Sequence, residues 1–301
     1  MMDSIRRGFG FLQQAAGMAV KDPDLLKPSM YALIVGGIAT VIFAVPLGAV
    51  GITMGDQDLG KVLLFVLGAL TLFVQYAVSY LFSGMTVRLV HDYLTQGDGR
   101  MDQAWATVRR DFFDILTLAA VSAAVKLVEG FLRGKKGKRN PIGELLAGVL
   151  DTLWTVATYF ILPAMIIEDL DLWKALKRAT QIIKANLLLV AVTEIGVGTV
   201  VGLIGFALFL LAVALGGGLF YLIGALSQWS TAGIVIGIVA GVLTAGAILI
   251  VVTVLSSYVT TAYHTCLFLW ARQVEQARAR GVSDASVPAP APLAALVPTP
   301  G

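Results

Sequence analysis

Long apolar stretches alternate with short polar segments along the chain, and this alternation predicts most of the architecture. Each stretch has at least the roughly 20 residues that an α-helix needs to cross the hydrocarbon core of a bilayer. Because backbone polar groups in lipid must be satisfied within the segment, we expect helices. The pattern predicts an all-α, polytopic transmembrane bundle with six spans, at about 29–54, 62–86, 112–132, 142–167, 187–215 and 234–280.

Three shorter segments place apolar residues at helical spacing with charged residues on other sides, which is typical of helices in the membrane interface. They begin the chain, precede the third span and precede the fifth span. Asp102 and Asp171 suit helix N-termini, and Trp105 and Trp173 suit the headgroup layer as interfacial anchors. The chain is therefore expected to contain three units, each an amphipathic helix followed by two spans, at about 3–95, 100–167 and 170–280.

Two segments near the C-terminus do not fit this unit. Three consecutive glycines at 216–218 are expected to end the fifth span, so residues 219–233 form an interfacial or re-entrant piece, or else an extra span. Residues 1–280 are expected to form a single transmembrane domain. The tail at 281–301 is rich in proline and alanine, cannot build a core, and is expected to be disordered.

Composition removes soluble proteins from consideration. Hydrophobic residues make up 57% of the chain and charged residues 14%, against roughly 25% charge in a soluble domain; mean hydropathy is +0.84. The net charge of +3 comes from basic clusters beside the spans, which favours an orientation signal over nucleic-acid binding. Cys266 is the single cysteine, so neither an internal disulfide nor a cysteine metal site is expected.

The distribution of lysine and arginine predicts the orientation. With both termini in the cytoplasm of a bacterium and the spans in its inner membrane, most basic residues flank the spans on the cytoplasmic side, as the positive-inside rule requires. The exception is the basic loop from Arg133 to Arg139, which falls on the outer side. Either the third and fourth spans insert as a hairpin despite this loop, or the loop binds something acidic outside.

The arrangement of entry helix and hairpin resembles a group of uncharacterised bacterial six-span membrane proteins. The segments that carry the resemblance are FILPAMIIEDLDLWKALKRA after the fourth span and ALKRATQIIKAN before the fifth. This group is similar to the membrane domain attached to some glycerophosphodiester phosphodiesterases, over about residues 6–272. The catalytic barrel of those enzymes is absent from this sequence. The resemblance therefore implies a fold and no reaction.

Ionisable side chains within the spans are costly in lipid and are functional candidates for that reason. Asp151 and Glu194 fall near the bilayer midplane. They form either a protonatable pair in a substrate or proton path or, by preference, structural groups that fasten helices. Lys126 and Glu129 share a helix face, and the hairpin brings Lys126 level with Asp151. Since an unpaired ammonium in lipid is expensive, we predict that Lys126 contacts Asp151 or Glu129.

Glycines mark candidate helix contacts. Gly198 and Gly202 form a GxxxG pair in the fifth span, and Gly233, Gly237 and Gly241 form a stripe in the last span. Such positions let helix backbones approach closely in lipid. The preferred interpretation is packing within the chain, and the alternative is an interface between copies or with another membrane protein.

The sequence contains no GxSxG, P-loop or HExxH motif, so we predict no catalytic, cofactor-binding or metal-binding residue. His91 and Asp92, at the end of the second span, form either a phosphate- or metal-binding corner or, by preference, a solvated helix end. His264 is expected to pack between helices.

Three classes of function remain. The preferred class is a non-catalytic membrane protein that acts as a scaffold or assembly partner in the lipid bilayer, as a homo-oligomer or membrane complex joined through small-residue stripes. The alternative is a transporter or lipid-handling protein that uses Asp151 and Glu194, and a membrane-embedded enzyme comes third. A cavity distinguishes the first two, because transport requires a polar cavity that reaches Asp151 or Glu194, whereas a scaffold requires a packed interior and an exposed stripe.

Overall fold

The computed structural model of the protein describes residues 2–134, 141–185, 187–281 and 287–294, and gives the backbone alone for 2–7, 187–200 and 291. The regular elements in these ranges are helices, without strands. They are α1 Met2–Lys21, α2 Lys27–Met54, α3 Asp58–Gln96, α4 Met101–Arg110, α5 Phe112–Arg133, α6 Pro141–Glu168, α7 Leu172–Ala185, α8 Leu187–Leu226, α9 Thr231–Ala279 and α10 Ala291–Ala294. A 3₁₀ turn at Pro23–Leu26 joins α1 to α2.

Six of the described helices are long and apolar enough to cross a membrane, namely α2, α3, α5, α6, α8 and α9. The protein is therefore an all-α, polytopic helical bundle, and the predicted fold class is confirmed. One short helix followed by two long ones occurs three times in the chain, beginning at α1, α4 and α7. The two long helices of each unit pack against each other as a hairpin.

The fifth span does not end at the three glycines, contrary to the sequence prediction. α8 continues through 216–218 to Leu226, so residues 219–226 extend this span and form neither a re-entrant piece nor a separate span. A glycine costs a helix only about 1 kcal/mol relative to alanine. Backbone groups released in lipid cost several kcal/mol each, and the helix therefore continues.

Turns form where the backbone can reverse tightly. Between α8 and α9 the chain turns at Gln228 and Trp229, with φ of 52° and 57°. The Ser230 hydroxyl then caps α9 by accepting a hydrogen bond from the Gly233 N–H. At the end of α3, Gly97 has a φ of 83°, a left-handed conformation that glycine adopts without steric cost.

The short helices gather at one end of the bundle. We call this the short-helix end, formed by α1, α4, α7 and the adjoining ends of the long helices; the opposite end, with the turns at 55–57 and 227–230, is the hairpin end. Each short helix buries one side and exposes the other. The buried side chains include Phe11, Ala15, Ala104, Val108, Ala175 and Ala179, which join the main core with residues of α3, α6 and α9. Placement of these helices in the membrane interface stays a prediction.

Part of the C-terminal tail is packed, although disorder is expected for 281–301. Leu293 of α10 is fully buried in the core, where α10 contacts α1 and α9. Trp270 Nε1 donates a hydrogen bond to the Val287 carbonyl at 3.4 Å. Val287 and Ala289 also pack against the core, which supplies the apolar surface that the tail itself lacks. Residues 282–286 and 295–301 lie outside the described residues.

Candidate functional site

Lys126 lies between two carboxylates at the interface of α5 and α6. Its Nζ donates to Asp151 Oδ1 at 2.6 Å and to Glu129 Oε2 at 2.9 Å, so the predicted contact is present with both partners. The Glu129 side chain is only 4% exposed, against 37% for Lys126 and 41% for Asp151. The cluster satisfies an ammonium that would otherwise be expensive in lipid.

Several sequence predictions lie outside what the structure describes. Glu194 and Gly198 belong to the part of α8 for which the backbone alone is described, so a pairing of Glu194 with Asp151 stays a prediction. Most of the basic loop, at 135–140, is also outside the described residues.

A polar network adjoins the charged cluster. The Ser122 hydroxyl lies 2.9 Å from the Tyr80 hydroxyl and accepts a hydrogen bond from Trp154 Nε1 at 3.0 Å. Ser122 is one helical turn from Lys126 on α5, and Trp154 is about one turn from Asp151 on α6. Polar groups therefore continue from the charged cluster to Tyr80 of α3.

Tyr80 also lines a cleft of about 560 Å³ between α3, α6 and α9. Val87 and Leu162 of its lining are buried and belong to the core. Its mouth is marked by exposed residues from α3 and α9, Ser79, Thr253 and Ser257. The volume falls within the roughly 300–1,000 Å³ of ligand sites. The remaining polar lining residues are Ser83, Thr158, Tyr159, Ser256, Thr260, Thr261 and His264.

The hydroxyls of the cleft fall into two groups. Thr253 and Thr261 donate to the carbonyls four residues earlier in α9, and Thr158 donates to the Thr155 carbonyl in α6. The hydroxyls of a second group have no hydrogen-bond partner within the described part of the chain, and these are Ser79, Ser83, Ser256, Ser257 and Thr260. This second group is available to a bound molecule.

His264 lies at the closed side of the cleft. Its ring is stacked on Tyr159, with centroids 3.6 Å apart, and meets the Tyr263 ring edge-on at 5.1 Å. His264 is 6% exposed, which agrees with the predicted packing role. Its place in the lining of a cavity is an additional finding.

A second cavity of about 370 Å³ adjoins the cleft between α2, α3 and α9. The two cavities share Ser79, Thr253 and Ser257. At the edge of the second cavity, the Gln75 amide donates to Thr40 Oγ1 at 2.8 Å and to the Gly36 carbonyl at 3.1 Å. The cleft therefore has room to continue beyond its mouth.

The glycine stripe of α9 packs within the chain, Gly237 and Gly241 against α8 and Gly233 against the turn that joins α8 to α9. Gly233, Gly237 and Gly241 are buried, and a Cβ at Gly241 would lie 2.6 Å from the Gly216 carbonyl oxygen. By contrast, a Cβ at Gly202 would meet no described atom within 4 Å, so this residue of the predicted GxxxG pair faces open space. The stripe is thus used for the hairpin, as the preferred interpretation expects.

The two predicted aromatic anchors are exposed at the short-helix end. Trp105 is 40% exposed, with the Arg109 guanidinium 5.8 Å from its ring centroid, and Trp173 is 71% exposed. This exposure is compatible with the headgroup layer, and anchoring there stays a prediction.

His91 and Asp92 belong to an ion-pair cluster at the same end. Arg88 Nε donates to the buried Asp92 carboxylate at 3.0 Å, and Arg88 also donates to Gln103. His91 Nδ1 lies 3.4 Å from Asp92. The cluster ties α3 to α4, and Asp92 is fully buried rather than solvated as the sequence interpretation prefers.

A second cluster at this end joins α6, α7 and α9. Arg178 bonds to Glu275 at 2.9 Å and to Glu168 at 2.9 Å. The hydrogen bonds to Glu275 and then to Glu168 raise the pKa of Arg178 above its ordinary value, against the lowering effect of burial. Arg272 lies 3.5 Å from Glu168 and completes the cluster. These pairs fix the short-helix end without offering a free charge to the cleft.

The sequence contains a pattern of hydroxyl residues that marks the cleft, although none of the hydroxyl residues is charged. Ser256, Thr260 and His264 recur every four residues in an apolar helix, and Ser79 and Ser83 have the same spacing in α3. Residues four apart share a helix face. What the spacing does not reveal is that the two faces meet each other and α6.

Fold and site together define a polytopic helical membrane protein with a hydroxyl-lined cleft between three of its spans. DUF6159, a family of unknown function, matches residues 58–276, and the chain belongs to this family. No curated protein matches the chain. The matched range includes every described residue that lines the cleft. These comparisons do not support the resemblance to the membrane domain of glycerophosphodiester phosphodiesterases. They show that the chain belongs to a family of unknown function, and the structure shows six long apolar helices in its described part.

Proposed function

We propose that the protein is a lipid-handling membrane protein that holds the polar head of a membrane amphiphile in the cleft between α3, α6 and α9. The proposal depends above all on the hydroxyls of Ser83, Ser256 and Thr260, which line the cleft without a partner among the described residues. A hydroxyl that faces a cavity can form a hydrogen bond with a molecule that enters that cavity. A polar head, or the water that it displaces, is such a partner.

The depth of the cleft supports this ligand. The lining residues of α3 and α9 that lie nearest to the hairpin end are Ser79 and Val252. Each lies about 32 Å along its helix from the hairpin end, at 1.5 Å per residue. A hydrocarbon core is about 30 Å thick. With the hairpin end at one membrane surface, the cleft therefore lies at the headgroup level of the opposite leaflet.

The scaffold interpretation has less support. It expects a packed interior and an exposed small-residue stripe, whereas Gly237 and Gly241 are covered by α8 and Gly233 by the turn that follows α8. A cleft with hydroxyl side chains in its lining is open between α3, α6 and α9, and its described lining does not include Asp151. One observation still favours assembly, because Gly202 lies on an uncovered face of α8. Oligomerisation through that face stays a second candidate, and no reaction is proposed.

We place the protein in the bacterial cytoplasmic membrane with both termini in the cytoplasm. The excess of lysine and arginine beside the spans at the short-helix end supports this orientation. The contact of α1 with α9 supports a common side for the two termini: the Tyr258 hydroxyl donates to the Ala15 carbonyl at 3.1 Å, and Phe11 packs edge-on against Tyr263.

Lipid retention tests the proposed function. The full-length protein is extracted in mild detergent, and native mass spectrometry counts the amphiphiles that remain bound per chain. We expect one retained molecule on the wild type, and about tenfold lower occupancy at matched delipidation when Ser256→Ala and Thr260→Val together remove two hydroxyls.

Thr117→Val is the matched control, because the Thr117 hydroxyl already bonds the Phe113 carbonyl on an exposed face of α5 outside the cleft. It should retain as much lipid as the wild type. Wild-type protein that retains nothing, or a double variant that retains as much as Thr117→Val, would contradict the proposal. Thermal unfolding of each variant confirms that the comparison is between folded proteins.

A further inference from the structure

The described lining of the cleft offers no lysine or arginine to pair with an anionic head, and no aspartate or glutamate to pair with a cationic one. His264 is part of this lining, but its ring is stacked on Tyr159 at the closed side. The nearby charges on the same helices are already paired, Asp151 with Lys126 and Arg88 with Asp92. The cleft therefore offers hydrogen bonds without a counter-ion.

This lining discriminates between lipid heads by charge. A phosphate group in a partly desolvated cleft needs a cation or several N–H donors, and an ion without them is strongly disfavoured. Serine and threonine hydroxyls both donate and accept, so they match the hydroxyls of a polyol, which also do both. Ser83, Ser256 and Thr260 supply such groups.

We infer that the cleft selects the uncharged, hydroxyl-bearing head of a neutral membrane amphiphile, of the class of diacylglycerols and glycosyl-diacylglycerols, and rejects anionic phospholipids. The inference rests on the proposed function and names the ligand class of the same site. The shared chemistry is an uncharged head with free hydroxyls, one in a diacylglycerol and several in a glycosyl-diacylglycerol or a free sugar. The position of the cleft at headgroup depth favours the lipid.

The adjoining cavity gives room for a head larger than glycerol. It meets the cleft at Ser79, Thr253 and Ser257, and it also lacks charged lining residues within the described chain. A sugar ring attached to the glycerol can therefore extend past the mouth of the cleft without meeting a charge.

Competitive binding of defined lipids tests the inference. Delipidated full-length protein in detergent is titrated with dioleoylglycerol, glucosyl-dioleoylglycerol and dioleoyl-phosphatidylglycerol, and native mass spectrometry measures each complex. We expect a one-to-one complex with at least one neutral lipid and about tenfold weaker binding of phosphatidylglycerol. Glucose and glycerol, added in the same concentration range, should not displace the neutral lipid.

The outcomes separate this inference from the proposed function. If phosphatidylglycerol binds as tightly as the neutral lipids and the Ser256→Ala, Thr260→Val variant weakens it, the inference on charge is overturned while the proposed function stands. If no lipid responds to that variant, both fail. Displacement by free glucose or glycerol at equal concentration would identify a soluble polyol and overturn the assignment to an amphiphile.

A gain of function provides a second, independent measurement. Ser79 is exposed at the mouth, so a lysine can be accommodated there with its ammonium directed to solvent or to a bound head. Ser79→Lys should raise phosphatidylglycerol binding about tenfold over Ser79→Ala, since it supplies the missing cation. Equal binding by the two variants would overturn the placement of the lipid head in this cleft.

Discussion

Lys126, Glu129 and Asp151 show how single polar residues are made tolerable inside an apolar bundle. The pairing could be predicted from the sequence, because Lys126 and Glu129 are three residues apart and the α5–α6 hairpin fixes the level of Asp151. The neighbouring contact of Ser122 with Tyr80 and Trp154 could not be predicted in this way. This contact depends on how three helices are turned about their axes relative to one another, and the hydropathy pattern carries no information on that.

Substitution of Lys126 tests the charged cluster. Lys126→Met leaves the buried Glu129 carboxylate without its partner, and we expect the free energy of unfolding to fall by about 1–3 kcal/mol. Adding Glu129→Gln should recover part of this loss, because a neutral amide costs less to bury than a carboxylate. Reversible unfolding in mixed micelles measures both changes.

Lys61→Met is the control for this prediction. Lys61 also pairs with a carboxylate three residues away, but both side chains are largely exposed, at 60% and 99%. Exposed pairs contribute little, so the change should stay within about 0.5 kcal/mol. Equal effects of the two methionine substitutions would show that the cluster at Lys126 adds nothing to stability.

The α8–α9 hairpin shows where helix propensity yields to packing and solvent. Glycines at 216–218 predict a helix end in water, but in a bilayer the broken hydrogen bonds would find no partner. Gly216 also permits a close approach, since a Cβ there would lie 2.6 Å from the Gly241 carbonyl oxygen. The glycine stripe of α9 could be predicted from its spacing. Its partner on α8, Gly216, could not, because the fifth span was expected to end at residue 215.

Two neighbouring glycines of α8 separate packing from propensity. Gly216→Ala forces two backbones apart and should lower the free energy of unfolding by about 1–3 kcal/mol. At Gly217 an added Cβ meets nothing within 4 Å, so Gly217→Ala should be neutral or stabilise by up to about 1 kcal/mol. Unfolding of the two variants in the same detergent checks this. Similar destabilisation by both would contradict the tight contact.

At the scale of the whole molecule, helix number and order follow from sequence because bilayer thickness sets the length of an apolar run. The cleft does not follow in the same way. Its lining comes from residues 79–87, 158–163 and 252–264, and only the assembled bundle brings these segments together. Ser and Thr are also uncharged, so no cost of burial marks them out in a sequence as it marks Lys126.

The orientation of the bundle determines which leaflet can supply a ligand, since the cleft lies toward the short-helix end. Orientation is measured with single cysteines in a Cys266→Ala background, which removes the native thiol. Asp56→Cys lies in the exposed turn at the hairpin end, and Lys174→Cys replaces an exposed side chain at the short-helix end. The positive-inside rule predicts that a membrane-impermeant maleimide labels Asp56→Cys in intact cells, and labels Lys174→Cys only after permeabilisation.

This labelling pattern would mean that the cleft lies in the cytoplasmic leaflet. The reverse labelling pattern would contradict the assigned orientation and would open the cleft to the outer leaflet, while the helix pairing that forms it would stay the same.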